Sequence, residues 1–243
     1  MSDTVTAGST ELLVAANRAS TLEAVIRWML HDLRNPLQTL TLLPTLADAE
    51  TDAAAGADWR GALAAAAERL AVGLALLDRL VAGPPGPTTA EPIAVGEVLG
   101  FLAELFGTRH GRFRVTVEPP GAVPLPAVAA VRGDLELALL NLLLNAAEAC
   151  GDRVGRVSAL ARPGLDGVEL VFEDDGPGIP EDQRARLFEP LVTTRPDGAV
   201  RGLGLFVARH LLARTGGELR YEAANGGSRF IVRLPAWQPL PQQ

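Results

Sequence analysis

Met29-Leu30-His31-Asp32-Leu33-Arg34-Asn35-Pro36-Leu37 sets one imidazole, with an acid beside it and an amide one turn on, on a helix otherwise striped with apolar residues. Ile26, Met29 and Leu33 fall on a 3–4 spacing. Pro36, Leu40 and Leu43 carry it forward, and Leu30 and Leu37 widen it. This is the pattern of a helix packed in a bundle. His31 falls on the far side of the stripe, at the heptad position directed most to solvent, with Asn35 as its i,i+4 neighbour. An exposed imidazole beside a carboxylate can be oriented and made more nucleophilic. The plain alternative is a surface histidine on an amphipathic helix, and the rest of the chain has to decide between them.

Upstream, residues 1–19 form an extension too short for a sensor domain. Ser20 and Glu23 have capping-box spacing and mark one possible helix start; a helix unbroken from Glu11 is the other. Downstream, Pro36 removes a backbone donor and bends the helix a turn after His31. Residues 49–58 read as a connection. Trp59–Val81 then forms a second helix with Leu63, Leu70, Leu74, Leu77 and Leu80 on one side. Residues 20–82 are thus expected to be an all-α helical hairpin whose apolar stripe is too wide for one partner. Dimerisation into a four-helix bundle covers it.

Gly83-Pro84-Pro85-Gly86-Pro87-Thr88-Thr89 is a linker by composition, taken as 83–90. Over 91–237 the pattern becomes mixed α/β, followed by a tail of 238–243. Ala94–Phe106, Asp134–Cys150 (with Asp134 as N-cap), Pro180–Leu187 and Gly204–Thr215 read as helices. Phe113–Glu118, Arg156–Ala161, Val168–Glu173, Glu218–Glu222 and Arg229–Leu234 read as strands.

Composition narrows the chemistry. The 243 residues carry a net charge of −7, which argues against nucleic acid as the main partner. All 22 basic residues are arginine, so arginine or backbone must meet any phosphate. A single cysteine, Cys150, permits no intrachain disulfide and fits a reducing compartment. No apolar run has the length of a membrane span, and Met1-Ser2-Asp3-Thr4 does not begin a signal peptide. The expectation is a soluble cytoplasmic protein.

Four motifs in the C-terminal part converge on a nucleotide. Asn141 and Asn145 stand four apart in a leucine- and alanine-rich helix, on one polar stripe with Asp134 and Glu148. Burying amides there costs stability unless something takes their hydrogen bonds. A hydrated magnesium ion carrying phosphate oxygens would do so; a solvent-facing stripe is the alternative. Glu173-Asp174-Asp175-Gly176-Pro177-Gly178-Ile179-Pro180 follows a strand directly. A carboxylate at that strand end can accept from the exocyclic amine of adenine, and the glycines let backbone approach the base. An ordinary Asp-Gly turn would look the same locally. Gly202-Leu203-Gly204-Leu205 opens a helix and offers N–H groups and a dipole to phosphate. Between these motifs, Phe188-Glu189-Pro190-Leu191 and the polar run to Arg201 read as a mobile cover, with Arg195 and Arg201 as its cations.

In this order and spacing the motifs resemble those of sensor histidine kinases, over residues 20–235. His31-to-Pro36 is similar to the phosphoacceptor box, and Asn141 with Asn145 to the asparagine box. Asp174–Gly178 resembles the first glycine box, Phe188–Pro190 the phenylalanine box and Gly202–Leu205 the second glycine box. Leu191 stands where that family usually has phenylalanine, Val200-Arg201 where Gly-Thr often precedes the second box, and Glu148 where some members carry a basic residue. The resemblance implies a dimeric helical hairpin bearing the phosphoacceptor, followed by an α/β sandwich that binds ATP.

It also implies roles. His31, Asp32 and Asn35 would be catalytic. Asn141, Asn145, Asp174, Gly176, Gly178, Ile179, Phe188, Thr193, Thr194, Arg195, Arg201, Gly202, Leu203, Gly204 and Leu205 would bind nucleotide, with Asn145 also holding Mg²⁺. The cofactors would be ATP and Mg²⁺. The partners would be a second copy through residues 20–82 and the receiver domain of a response regulator. Two other readings share part of this pattern: a histidine phosphotransfer protein or pseudokinase without ATP turnover, and another ATPase of the same nucleotide fold, such as an anti-sigma serine kinase.

Overall fold

The computed structural model describes residues 8–27, 64, 67, 71, 74, 89–106, 113–118, 124–150, 155–192, 202–224 and 226–239. Two units divide the chain: Leu22–Pro84, and Met1–Thr21 together with Pro85–Gln243.

Helix α1 occupies residues 8–27 without interruption, so of the two possible starts the chain takes the earlier, and Ser20 lies mid-helix. Its inward positions, Leu13, Val14, Asn17, Ser20 and Thr21, recur at 3–4 spacing. In the larger unit there follow β1 (Glu91–Ile93), α2 (Val95–Phe106), β2 (Phe113–Glu118), β3 (Val128–Ala130) and α3 (Arg132–Cys150). The chain continues with β4 (Gly155–Pro163), β5 (Gly167–Asp174), α4 (Glu181–Arg184), α5 (Gly204–Ala213), β6 (Glu218–Ala224) and β7 (Gly227–Pro235).

Five strands form a mixed sheet in the order β2-β4-β5-β7-β6, with β2 parallel to β4 and every other pair antiparallel. Register explains why it has one apolar and one charged face. Ala159, Phe172, Phe230 and Tyr221 line up across four strands, as do Ala161, Leu170, Val232 and Leu219. Apart from the half-buried Tyr221, all of these are buried. Burying a leucine or phenylalanine of this kind stabilises the fold by about 1.5–3 kcal/mol. The alternate positions carry charge: Glu173 pairs with Arg229 at 3.0 Å, and Glu169 lies between Arg162 and Arg233. Helices α2, α3 and α5 pack with the sheet, and α3 lies against α5. The result is an α/β sandwich.

Two departures from the sequence reading have local causes. Helix α3 begins at Arg132, with Leu135 N–H already bonded to the Val131 carbonyl at 2.9 Å. Asp134 therefore sits inside the first turn instead of capping it, and its carboxylate meets Arg214 at 2.9 Å. Strands β1 and β3, an antiparallel pair of three residues each, were not expected. Runs that short show no alternation to read.

In the Leu22–Pro84 unit, Ala64, Ala67, Ala71 and Leu74 are helical and exposed. The expected bend at Pro36 and the residues His31, Asp32 and Asn35 lie outside the described residues. No helix among the described residues is long and apolar enough to cross a membrane.

Candidate nucleotide-binding site

Strand β5, the middle strand of the sheet, ends on Asp174 as a buried carboxylate. Its Oδ1 accepts from the N–H of Gly176 at 2.8 Å and of Ser228 at 3.3 Å. Burial pushes the carboxyl above the ordinary aspartate range, and these two donors, with the Ser228 side chain, oppose that shift. An ionised carboxylate accepts about four hydrogen bonds, so one position remains for a ligand's amine. The turn beyond it needs glycine. Gly178 has φ +74°, and a Cβ on Gly176 would lie 2.6 Å from the Asp174 Oδ1. Asp175 points elsewhere: its carboxylate accepts from Arg156 N–H at 3.0 Å and from the Cys150 thiol at 3.6 Å. This ties the end of α3 and the start of β4 to the turn.

Both backbone polar groups of Ile179 are held by side chains. Its N–H donates to Tyr221 Oη at 3.4 Å, and its carbonyl accepts from Arg184 Nε at 3.0 Å. The Arg184 guanidinium lies 6.0 Å from the Tyr221 ring centroid, near the range of a cation–π contact. These two residues thus fix the wall that follows the glycine turn.

On α3, Asn141 is buried, Asn145 half-buried and Glu148 exposed, so the expected polar stripe runs from core to surface. Asn141 faces the second glycine pair: a Cβ on Gly204 would lie 3.2 Å from its Oδ1. Its amide is satisfied from within the chain. Oδ1 accepts from Asn17 Nδ2 and Thr21 Oγ1, both at 3.1 Å. Nδ2 donates to Asn17 Oδ1 and to the Leu137 carbonyl, both at 2.9 Å. Two of its partners, Asn17 in the N-terminal extension and Thr21 just beyond it, are themselves buried. The Asn145 side chain has no hydrogen-bond partner among the described residues. It can offer one oxygen to Mg²⁺, which keeps several waters and takes further ligands from phosphate. Among the described residues no cluster of three His, Cys, Asp or Glu stands ready for a metal. A sparse site of that kind fits this donor set.

Gly202 and Leu203 lead into α5. Leu203 is sealed in the core, so only its backbone can face a ligand, while Leu205 stays half-buried. Gly202 has φ +80°, and a Cβ there would lie 2.6 Å from the Val192 carbonyl oxygen. Its own carbonyl accepts from Leu191 N–H at 2.9 Å. Leu191 and Val192 are thereby held against Gly202. Phe188 packs under the Arg209 guanidinium, 5.1 Å from the ring centroid. Thr193, Thr194, Arg195 and Arg201 lie outside the described residues.

The sequence reading missed Ser228, Tyr221, Arg184, Arg209, Asn17 and Thr21. Gly226-Gly227-Ser228 was a visible turn signal, whereas the others meet the site only through register or helix packing.

A buried aspartate at a strand end, its glycine turn and an asparagine-bearing helix on an α/β sandwich are the features of an ATP-binding domain. Residues 130–238 match the model of the histidine kinase-, DNA gyrase B- and HSP90-like ATPases. The chain is 32% identical over 235 residues to the C4-dicarboxylate transport sensor protein DctB of Rhizobium meliloti (strain 1021), covering 91% of this chain and 36% of DctB. It is 32% identical over 182 residues to the sensory histidine kinase/phosphatase NtrB of Rhizobium leguminosarum bv. phaseoli, covering 67% and 46%. Among solved structures, the mycobacterial sensor histidine kinase MprB is 32% identical, covering 60% of this chain and 97% of that one, with a TM-score of 0.50. The chain belongs to the sensor histidine kinases. It spans less than half the length of these two curated relatives.

Proposed function

We propose that this protein uses ATP to phosphorylate its own His31 and passes the phosphoryl group to an aspartate on the receiver domain of a response regulator. The observation that carries the nucleotide half is the buried Asp174, held by Gly176 and Ser228 with acceptor capacity left over. The sequence His31-Asp32-Leu33-Arg34-Asn35-Pro36 carries the acceptor half.

Asp174 accepts from the adenine amine and fixes the base. Gly202 and Gly204 present backbone to the phosphates near the start of α5. Asn145 holds Mg²⁺, which when bound neutralises charge on the phosphate oxygens. An imidazole nitrogen of His31 attacks the γ-phosphorus in line. The new N–P bond forms as the bond to the β-phosphate bridging oxygen breaks, and ADP leaves. Asp32 accepts a hydrogen bond from the other ring nitrogen and stabilises its developing positive charge. The phosphoryl group then moves from nitrogen to the carboxylate oxygen of the regulator. Asn35, one turn on, orients a water that hydrolyses the regulator's aspartyl phosphate to free carboxylate and inorganic phosphate, and the relative NtrB carries both kinase and phosphatase in its name.

Two copies associate through residues 20–82. The exposed face of Ala64, Ala67, Ala71 and Leu74 has the 3–4 spacing that a partner helix needs.

Nucleotide binding and labelling separate the parts of this reading. Asp174→Ala and Asn145→Ala should each weaken ATP binding by at least tenfold and lose label together with it. Retention of tight binding by Asp174→Ala would overturn the site.

A further inference from the structure

Asn141 has no hydrogen-bonding capacity left. An asparagine amide offers two N–H donors and an oxygen with two lone pairs, and all four positions are filled by Asn17, Thr21 and Leu137. Asn17 and Thr21 are one turn apart on α1, so they project to the same side of it. Three of the four bonds come from them. The amide therefore has two claimants: a nucleotide's phosphates and their hydration shell on one side, and α1 on the other. A phosphate-bound water cannot be added to Asn141 without displacing one of the bonds to α1 or to its own helix.

We propose that α1 is a latch on the nucleotide site, in which Asn17 and Thr21 hold the Asn141 amide and compete with ATP for it. The inference rests on the ATP reading above and adds its regulation. Helix α1 lies close enough for its charges to reach the first turn of the helix that carries Asn141, where Arg18 attracts the Asp134 carboxylate and Glu11 repels it. The same helix continues to Arg27, four residues before His31 in the chain. A signal that shifts α1 would therefore act on the nucleotide and on the approach to the phosphoacceptor together.

Competition of this kind is reciprocal. Asn17→Ala and, separately, Thr21→Val should tighten Mg-ADP binding to the full chain by about fivefold, within the usual range of a coupling between sites. In the unaltered protein, saturating Mg-ADP should speed backbone hydrogen exchange over residues 8–21. A helix that is only structural gives neither effect: affinity would stay the same or weaken in both variants, and exchange would slow or stay unchanged. Either result overturns the latch while leaving the ATP reading standing. Failure of both the unaltered chain and Asn17→Ala to bind millimolar Mg-ADP would overturn the ATP reading and the latch with it.

Discussion

The backbone of Gly227 lies so close to Asp174 that a Cβ on that glycine would fall 1.7 Å from the Asp174 carbonyl oxygen. The Asp174 carboxylate is thus placed by contact between two strands, β5 and β7, as well as by its own turn. Gly227→Ala must push them apart. It should lower stability by about 2 kcal/mol or more and abolish nucleotide binding, read by thermal melting and by calorimetric titration with Mg-ADP. A variant of unchanged melting temperature and affinity would contradict this placement.

Tyr221 and Arg184 act through the Ile179 peptide groups without standing in the ligand's place. Tyr221→Phe deletes one hydrogen bond worth about 1 kcal/mol. Mg-ADP affinity should fall by about fivefold while the melting temperature moves little. The Kd for ADP in Tyr221→Phe and Arg184→Ala checks this, and equal affinities in all three proteins would remove both residues from the site.

Much of this site could be read locally. Asp174, Gly176 and Gly178 sit in one turn directly after a strand, and their sequence states both the bend and the acceptor. Strands β2, β4, β5, β6 and β7 were legible because alternation is strong over six or more residues. The partners of Asn141 were not legible, because they lie 120 and 124 positions away on a helix whose polar residues look like surface ones. Tyr221 was hidden for a similar reason: only the pairing of β6 with β7 brings its ring to Phe230, 5.5 Å between centroids, and its hydroxyl to Ile179. Asp134 had the right chemistry for a cap, but the helix starts at Arg132 and the carboxylate pairs with Arg214, just past the end of α5.

Two carboxylates should shift stability with pH in opposite senses. Burial raises the Glu169 carboxyl, but hydrogen bonds and charge from Arg162 and Arg233 outweigh it and hold the group below 4.5. Its stabilisation is present above that value and is lost as pH falls through the lower folded pKa. Asp174 is held above 3.8 by burial. Its contribution is complete below 3.8 and is lost as pH rises through the raised folded pKa. At neutral pH, Glu169→Gln should cost about 1 kcal/mol, the arginines being half exposed. Asp174→Asn should raise the melting temperature while losing ATP, a trade of stability for function. Melting curves from pH 3 to 8, a range of about five units chosen to span both groups, check the two signs.

The close approach of Leu191 and Val192 to Gly202 makes a further glycine indispensable. Gly202→Ala places a side chain at φ +80° and 2.6 Å from the Val192 carbonyl oxygen. It should cost about 1–3 kcal/mol, read as a fall in melting temperature. An unchanged melting temperature would contradict that close approach.

The transfer of phosphoryl to His31 is tested most directly by incubating the purified chain with γ-labelled ATP and Mg²⁺, then challenging the labelled protein with acid and alkali. The expected label is acid-labile and alkali-stable, as an N–P bond requires, and is absent from His31→Gln even though that variant still binds ATP. Acid-stable label, or label retained by His31→Gln, would contradict it.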